Sequence, residues 1–520
     1  MTSPLTPAIA GTVGPAGIDL DKATITELRR GMDLGAFTAA ELTRCYLERI
    51  SHLGPLLRAV IAVHPGALEE AEASDAARRH GRAPRPLEGI PVLVKDNIAV
   101  TGMPTTAGSL ALAGSAPPDA FCVARLRAAG AVIIGKTNLS EWANFRSERS
   151  TSGWSSVGGQ VRNPHVLDRN PSGSSSGSAA AVAAHLAAVA VGTETDGSVV
   201  CPASACGIVG VKPTLGLVSR SGMVPISHRQ DTAGPMARCV ADAVVLLRML
   251  AGPDPSDTAT VAAHAQTGEV PSFDVAALDH GALDAGTLRG SRLGIWRDAS
   301  AAADPATGAL LDAAVAVLRD GDAVVIDPVD LPGAADIAEP EFTALLHEFK
   351  HDLNAYLGTL GPGQPRSLAQ VIEFNARNAA QVMPVFGQDV FERAEATSGD
   401  LADEGYRAMR SRATELARRA LDTPMVGNGL DAVIALTANP AWPTDPVLGD
   451  RDVFHTSTPA AVAGYPAVTV PAGLVRGLPV GLTFMGAPWH DAQLLALACA
   501  FEQAAQTRRA PTYRATVDCP

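Results

Sequence analysis

From Arg169 to Thr214 the chain is dense in Gly and Ser, then in Ala, then in Gly, Thr, Asp and Ser again, and no other segment constrains the fold as strongly. Side chains this small let helix and sheet backbones approach closely, so the segment belongs inside a packed interior. Its apolar middle, Ala179 to Gly192, is interrupted by His185 and falls short of the length a bilayer requires; it reads as a buried helix. The rest of the chain can supply that interior. Of 520 residues, 47% are hydrophobic and 18% charged, and with only 4% aromatic the core must be built mainly from Ala, Val and Leu. Length alone would allow three average domains, but large α/β enzymes also build one continuous core of this size.

A formal charge of -13 and basic residues confined to short groups such as Arg78-Arg79 and Arg508-Arg509 argue against a nucleic-acid partner. The seven cysteines, at 45, 122, 201, 206, 239, 499 and 519, lack paired metal spacing and suit reduced, mostly buried thiols. None of the twelve histidines sits in a zinc-ligand spacing, so no metal is expected. Met1 to Asp19 is Pro/Gly/Thr-rich with neither a cationic head nor a sustained apolar run, which predicts a flexible segment, no signal peptide and a cytoplasmic protein.

Between Thr24 and Leu53, apolar residues recur at helical spacing (Ile25, Leu28, Leu42, Tyr46, Leu47, Ile50), with Thr38 placed to cap a helix starting at Ala39. The short apolar run Gly89 to Val94 ends at Lys95-Asp96-Asn97 and predicts a buried strand with a lysine at its tip. A helix from Ala120 to Ala129, then Gly130, then a strand from Ala131 to Ile134 gives a βα alternation around a largely buried sheet. Residues 337–420 read as mainly helical, with Phe342, Leu345, Leu346, Phe349 and Leu353 at helical offsets, and suit a cover over a pocket. Strands follow at Ala432 to Leu436, Ala467 to Pro471 and Leu478 to Met485, then a helix from Asp491 to Ala505.

Two motifs invite the wrong conclusion. Gly130 to Thr137 satisfies the phosphate-loop pattern letter by letter, but Ala131 to Ile134 has the character of a strand, not of a loop wrapping an anion. Gly173-Ser174-Ser175-Ser176-Gly177 matches the G-x-S-x-G elbow with Ser175 as nucleophile, but a turn sequence, Asp168 to Ser172, precedes it where the elbow needs a strand.

Gly192-Thr-Glu-Thr-Asp-Gly-Ser198 is different. Small residues able to take tight backbone angles end at a serine before an apolar pair, and the N–H groups of Thr195, Asp196, Gly197 and Ser198 can converge as donors for an oxyanion. Taken alone, a glycine turn between a helix and a strand is the plainer reading, just as an exposed lysine is the plainer reading of Lys95.

Together, a lysine at a strand tip, a Gly-Ser-Ser cluster and a Gly-Ser whose serine follows Ser174 by 24 residues resemble the amidase signature family. The resemblance covers nearly the whole chain. It includes Leu87 to Asn97, Gly135 to Glu141, Ser172 to Gly177, Gly210 to Gly216, Gln230 to Pro235 and Ala463 to Gly473. It implies one large α/β domain over residues 20–520, with a twisted mixed β-sheet covered by α-helices on both faces. It also implies a cofactor-independent amide hydrolase with Ser198 as nucleophile, Ser174 as proton shuttle and Lys95 as base. A cis peptide bond before Ser174, Ser175 as a support for Lys95, and Asn144 and Phe145 as pocket walls are carried over with it.

One departure narrows the match. Many members carry arginine two residues after the nucleophile, where this chain has Val200, and losing that cation counts against an acidic substrate held there. The Glu194-Thr-Asp-Gly-Ser198 form, with Ser219 to Pro225 and Glu348 to Tyr356, is most similar to bacterial peptide amidases, which remove ammonia from C-terminal carboxamides. The expected partner is therefore a small-molecule or peptide amide, without nucleic acid or membrane, acted on by a monomer or homodimer. Aryl acylamidase, ester and carbamate cleavage by the same acyl chemistry stay open. So does the glutaminase subunit of a tRNA-dependent amidotransferase.

Overall fold

The computed structural model describes residues 13–267 and 285–517. Thirteen strands form in chain order: β1 (Val60–Val63), β2 (Pro91–Lys95), β3 (Val132–Thr137), β4 (Trp154–Ser155), β5 (Gly159–Gln160), β6 (Val189–Glu194), β7 (Val209–Lys212), β8 (Thr232–Ala237), β9 (Arg292–Ile295), β10 (Val324–Ile326), β11 (Ala432–Leu436), β12 (Ala467–Val475) and β13 (Leu478–Met485). Eleven build one sheet in the order β1-β3-β2-β6-β8-β7-β12-β13-β11-β9-β10, and β4 and β5 pair separately. The sheet is mixed: β3, β2 and β6 run parallel, and so do β11, β9 and β10, while the strands between are antiparallel.

Helices cover both faces because the strands are apolar on both. Along β11, Ala432, Ile434 and Leu436 enter one core, shared with helices Val240–Leu250, Pro305–Asp320 and Asp491–Ala505. Val433 and Ala435 enter a second core, under helix Glu404–Asn428. A third cluster joins Leu345, Phe349, Leu353 and Phe391 of the helical region to Trp142, Phe145 and Ile226. The expected mixed-sheet architecture with helices on both faces is what this chain adopts.

Local expectations hold where chemistry is local. Thr38 accepts from the Glu41 N–H and Glu41 reaches back to Thr38, a capping box at the head of helix Ala39–Leu57. Residues 337–420 contain four helices and the start of a fifth, from Ala338–Thr359 to Glu404–Asn428. Gly135, Lys136 and Thr137 lie inside β3, so no phosphate loop exists.

Two expectations are corrected. The run Ala179 to Gly192 is not one helix: helix Ser176–Ala183 ends, His185 takes a left-handed φ of +55°, and β6 begins at Val189. Alanine favours the helix, but the β-branched Val189 and Val191 fill adjacent sheet positions. Ser198 also sits on a strand-to-helix turn, between β6 and helix Val200–Ala205, the reverse of the plainer helix-to-strand reading. Of the expected flexible start, residues 1–12 lie outside the described residues. Residues 13–19 close on themselves through the Gly14 N–H to Ile18 carbonyl bond of 2.7 Å. All six described cysteines are free thiols, and Cys519 lies outside the described residues. Among the described residues no helix is long and apolar enough to cross a membrane.

Candidate active site

β2, the third strand from one edge of the sheet, ends at Lys95, which is 0% exposed. Its Nζ lies 2.8 Å from Ser174 Oγ, 2.9 Å from Thr193 Oγ1 and 3.2 Å from the Thr193 carbonyl. Among the described residues no carboxylate lies within ion-pair distance, and burial dominates: it pulls the Lys95 pKa down to about 7, against the weaker upward pull of Asp231 and Glu194. Thr193 is fixed in turn by Asn97, whose Nδ2 donates to Thr193 Oγ1 at 2.9 Å.

The expected cis peptide joins Gly173 to Ser174. Ser174 is wholly buried, yet it borders the cavity that Ser198 faces. Ser198 is 8% exposed. Its carbonyl accepts from the Ser175 N–H at 3.1 Å, which ties the two serine turns together. The Ser198 and Ser174 hydroxyls share the cavity and make no direct hydrogen bond to each other.

Ser175 makes no hydrogen bond to Lys95. Its hydroxyl donates to the Thr193 carbonyl at 3.0 Å and accepts from the Thr193 N–H at 3.2 Å, so it supports Lys95 only through Thr193. That orientation faces β6, not the cavity, which also removes Ser175 as an elbow nucleophile.

The turn from Thr195 to Ser198 is clamped by side chains from other segments of the chain. Thr195 Oγ1 donates to Asp231 at 2.6 Å, and Ser457 and Thr458 donate to the Asp196 carboxylate at 2.5 and 2.7 Å. Glu194 accepts from the Val199 and Val200 N–H groups at 2.8 and 3.1 Å, capping helix Val200–Ala205. Burial raises the Glu194 pKa and the nearby Lys212 draws it back. Among the described residues, the N–H groups of Asp196, Gly197 and Ser198 donate to no protein acceptor. Gly197 has a φ of +75°, and a Cβ there would meet Ser457 Oγ at 2.8 Å.

These groups border a cavity of about 310 Å³. Asn144 and Phe145 border it, and Trp142, Ala143 and Asn144 all take left-handed φ values of 54°, 53° and 72°. The Asn144 Oδ1 atom is buried without a hydrogen-bond partner. A larger groove of about 1130 Å³, bordered by Arg220 and Tyr356, contains none of Lys95, Ser174 and Ser198. Val200 packs into the second core and does not reach the cavity, so its identity says nothing directly about cavity charge. The cavity wall does: it includes Asp196, Asp450, Asp452 and His455, and neither lysine nor arginine. Burial lowers the His455 pKa, but Asp452 at 2.6 Å and the charges of Asp196 and Glu341 outweigh it and raise it to about 9.

The sequence did not single out Thr193, Asn97, Asp450, Asp452 or His455. Thr193 could have been found by the period of β6, since it stands two residues beyond Val191 on the same face. The segment from Pro443 to His455 has no periodicity to read. Among the described residues, no group of three or more His, Cys, Asp or Glu side chains is arranged to hold a metal ion.

Fold and relatives together define an amide hydrolase. The family model described as Amidase matches residues 41–495, and this chain belongs to the amidase signature family. The X-ray structure of native peptide amidase from Stenotrophomonas maltophilia is similar at 48% identity and a TM-score of 0.87, covering 94% of this chain and 98% of that one. A probable amidase of Arabidopsis thaliana is 42% identical over 95% of this chain and 92% of its own length. A glutamyl-tRNA(Gln) amidotransferase subunit from Chloroflexus aurantiacus is 35% identical over 93% of this chain and 97% of its own length.

Proposed function

We propose that this enzyme hydrolyses neutral carboxamides, C-terminal peptide amides first among them, through an acyl-enzyme on Ser198. The observation that carries the reading is the coordination of Lys95. A neutral amine has two N–H bonds and one lone pair; the Thr193 carbonyl and Oγ1 take the two N–H bonds, which leaves the lone pair for the Ser174 hydroxyl at 2.8 Å. With a pKa near 7, Lys95 is poised to act at neutral pH.

Lys95 takes the Ser174 proton as Ser174 takes that of Ser198, and Ser198 Oγ bonds to the amide carbonyl carbon. The negative charge on the carbonyl oxygen meets the unengaged N–H groups of the 195–198 turn. The proton returns through Ser174 to the nitrogen, the C–N bond breaks, and ammonia leaves. Water then repeats the sequence on the ester, releasing a carboxylate and restoring Ser198.

The peptide-amidase reading draws support from the 48% identity to the Stenotrophomonas enzyme. The relatives that are amidotransferase subunits favour a second reading, glutaminase action within a complex. Against it, free glutamine carries a carboxylate, and the cavity wall offers three carboxylates, neither lysine nor arginine, and one cation, His455, that is already paired with Asp452.

Purified protein without partners, assayed on peptide amides, anilides, esters, carbamates and glutamine, tests this. Ammonia release from peptide amides that disappears in Ser198→Ala is expected. Activity on glutamine only, or only with added partner proteins, would transfer the reading to the amidotransferase, and activity surviving Ser198→Ala would end the nucleophile assignment.

A further inference from the structure

The Gln230 side chain is buried at a junction that the acyl chemistry leaves unused. Its Nε2 donates to the Thr195 carbonyl at 3.2 Å and to Glu341 at 2.7 Å, while its Oε1 accepts from Arg410 at 2.5 Å. Arg410 in turn is held by the buried Glu348 carboxylate, which also accepts from Ser227 at 2.6 Å and Tyr406 at 2.7 Å. The chain of contacts thus runs from the 195–198 turn into helices Ala338–Thr359 and Glu404–Asn428.

The consequence lies in one peptide plane. The bond between Thr195 and Asp196 is not among the cis peptides, so its carbonyl and the Asp196 N–H point in opposite directions. Gln230 holds the carbonyl, so the Asp196 N–H, which among the described residues donates to no protein group, points away from Gln230, and Asp196 itself borders the cavity. Arg410 fixes which end of the Gln230 amide faces Thr195, because only the oxygen can accept from a guanidinium. Thr195 Oγ1 on Asp231 anchors the side chain of the same residue but does not restrain rotation of the plane that follows it.

We infer that Gln230, oriented by Arg410, is a positioning residue that locks the Thr195–Asp196 peptide plane with its N–H aimed at the developing oxyanion. The inference rests on the Ser198 reading above. It gives the helical region a part in the reaction: besides walling the cavity, it supplies Glu341, Glu348 and Arg410, which set the amide that sets the plane. A freed plane can rotate and present its carbonyl in place of its N–H, which would repel the oxyanion.

Gln230→Met, of similar length and without a donor, is the direct test. Losing one oxyanion donor costs about 10²–10³-fold in kcat, so loosening one is expected to cost about 10–100-fold, with KM changed less than about threefold. Two inhibitors separate positioning from plain structural damage: a peptide trifluoromethyl ketone, which forms an oxyanion on Ser198, and the matching peptide alcohol, which does not. The ketone is expected to lose affinity by the same factor as kcat while the alcohol keeps its own. Active-site titration normalises for folded enzyme.

Gln230→Glu is the second variant. It keeps the size and the Arg410 contact but turns an acceptor toward the Thr195 carbonyl, and is expected to lose at least as much kcat as Gln230→Met at pH 8. Arg410→Met on top of Gln230→Met should cost no further kcat, since both act through one amide. Unchanged kcat in both Gln230 variants, or equal losses of affinity for ketone and alcohol, overturns the inference. If Ser198→Ala keeps activity, the underlying reading fails whatever Gln230 does.

Discussion

Two lysines stand on neighbouring parallel strands, equally buried and with different neighbours. Lys95 ends β2 and Lys136 lies in β3, opposite Val94, and both are 0% exposed. Lys136 Nζ is 3.1 Å from the Asp96 carboxylate and donates to the Pro104 carbonyl and Thr105 Oγ1, so burial, which lowers its pKa, is opposed by an adjacent opposite charge. Lys95 meets only hydroxyl and carbonyl oxygens at hydrogen-bond distance. The difference teaches that burial alone does not make a base. A buried lysine with a carboxylate is a structural ion pair; one given two neutral acceptors and a hydroxyl is left with a lone pair aimed at a proton.

Exchanging each lysine for methionine should break the pair apart most widely. Lys95→Met is expected to lower kcat/KM by about 10²–10⁴-fold in a folded protein, the usual share of a general base. Lys136→Met is expected to retain kcat/KM per folded molecule within about tenfold but to lose about 3–5 kcal/mol of stability, because it strands Asp96 in the interior. Kinetics beside thermal unfolding measure both. Similar kinetic losses at the two positions would erase the distinction.

The pH profile sharpens the contrast. Because Lys95 must be neutral to accept a proton and titrates near 7, kcat/KM should fall about tenfold per unit below pH 7 in the wild type and level off above it. Lys136→Met should keep that profile. Thr193→Val then removes one of the two acceptors of Lys95; about a fivefold loss in kcat/KM is expected, since one neutral hydrogen bond near 1 kcal/mol disappears beside the lone pair it orients.

The last contrast is in stability. In the fold Lys95 is neutral above about pH 7, whereas in the unfolded chain it stays protonated up to its ordinary value of 10.5. Across that window the unfolded state binds more protons, so stability rises with pH by up to about 1.4 kcal/mol per unit, and below it the slope vanishes. Denaturant midpoints between pH 7 and 10 should show a shallower rise in Lys95→Met than in the wild type.

The strand and turns that carry these residues were legible in the sequence because they are local, but grouping Lys95, Ser174 and Ser198 into one site came only from the resemblance to the family. The apolar run before Lys95 dictates a buried strand ending there, and the Gly/Ser turns bring Ser174 and Ser198 to the edge of one cavity. What stayed hidden depends on sheet order. Asp231 and Gln230 reach the 195–198 turn because β8 lies antiparallel beside β6, a pairing that no periodicity within either strand encodes. Asp450, Asp452 and His455 arrive from a segment held by individual hydrogen bonds, such as Ser152 to Asp450 at 2.5 Å, not by repeating contacts. His185 misled for a related reason: the run around it is apolar enough for one helix, and only its left-handed backbone divides it.

Every step proposed for this site depends on Ser198 carrying the acyl group. Rapid quenching of the enzyme with a p-nitrophenyl ester of a slowly released acyl group, followed by peptide mapping in the mass spectrometer, reads the acylated residue directly. One acyl group per chain on Ser198, absent in Ser198→Ala and formed more slowly in Lys95→Met, is the predicted result. An acyl group on Ser174 or Ser175, or acylation that persists in Ser198→Ala, would contradict it.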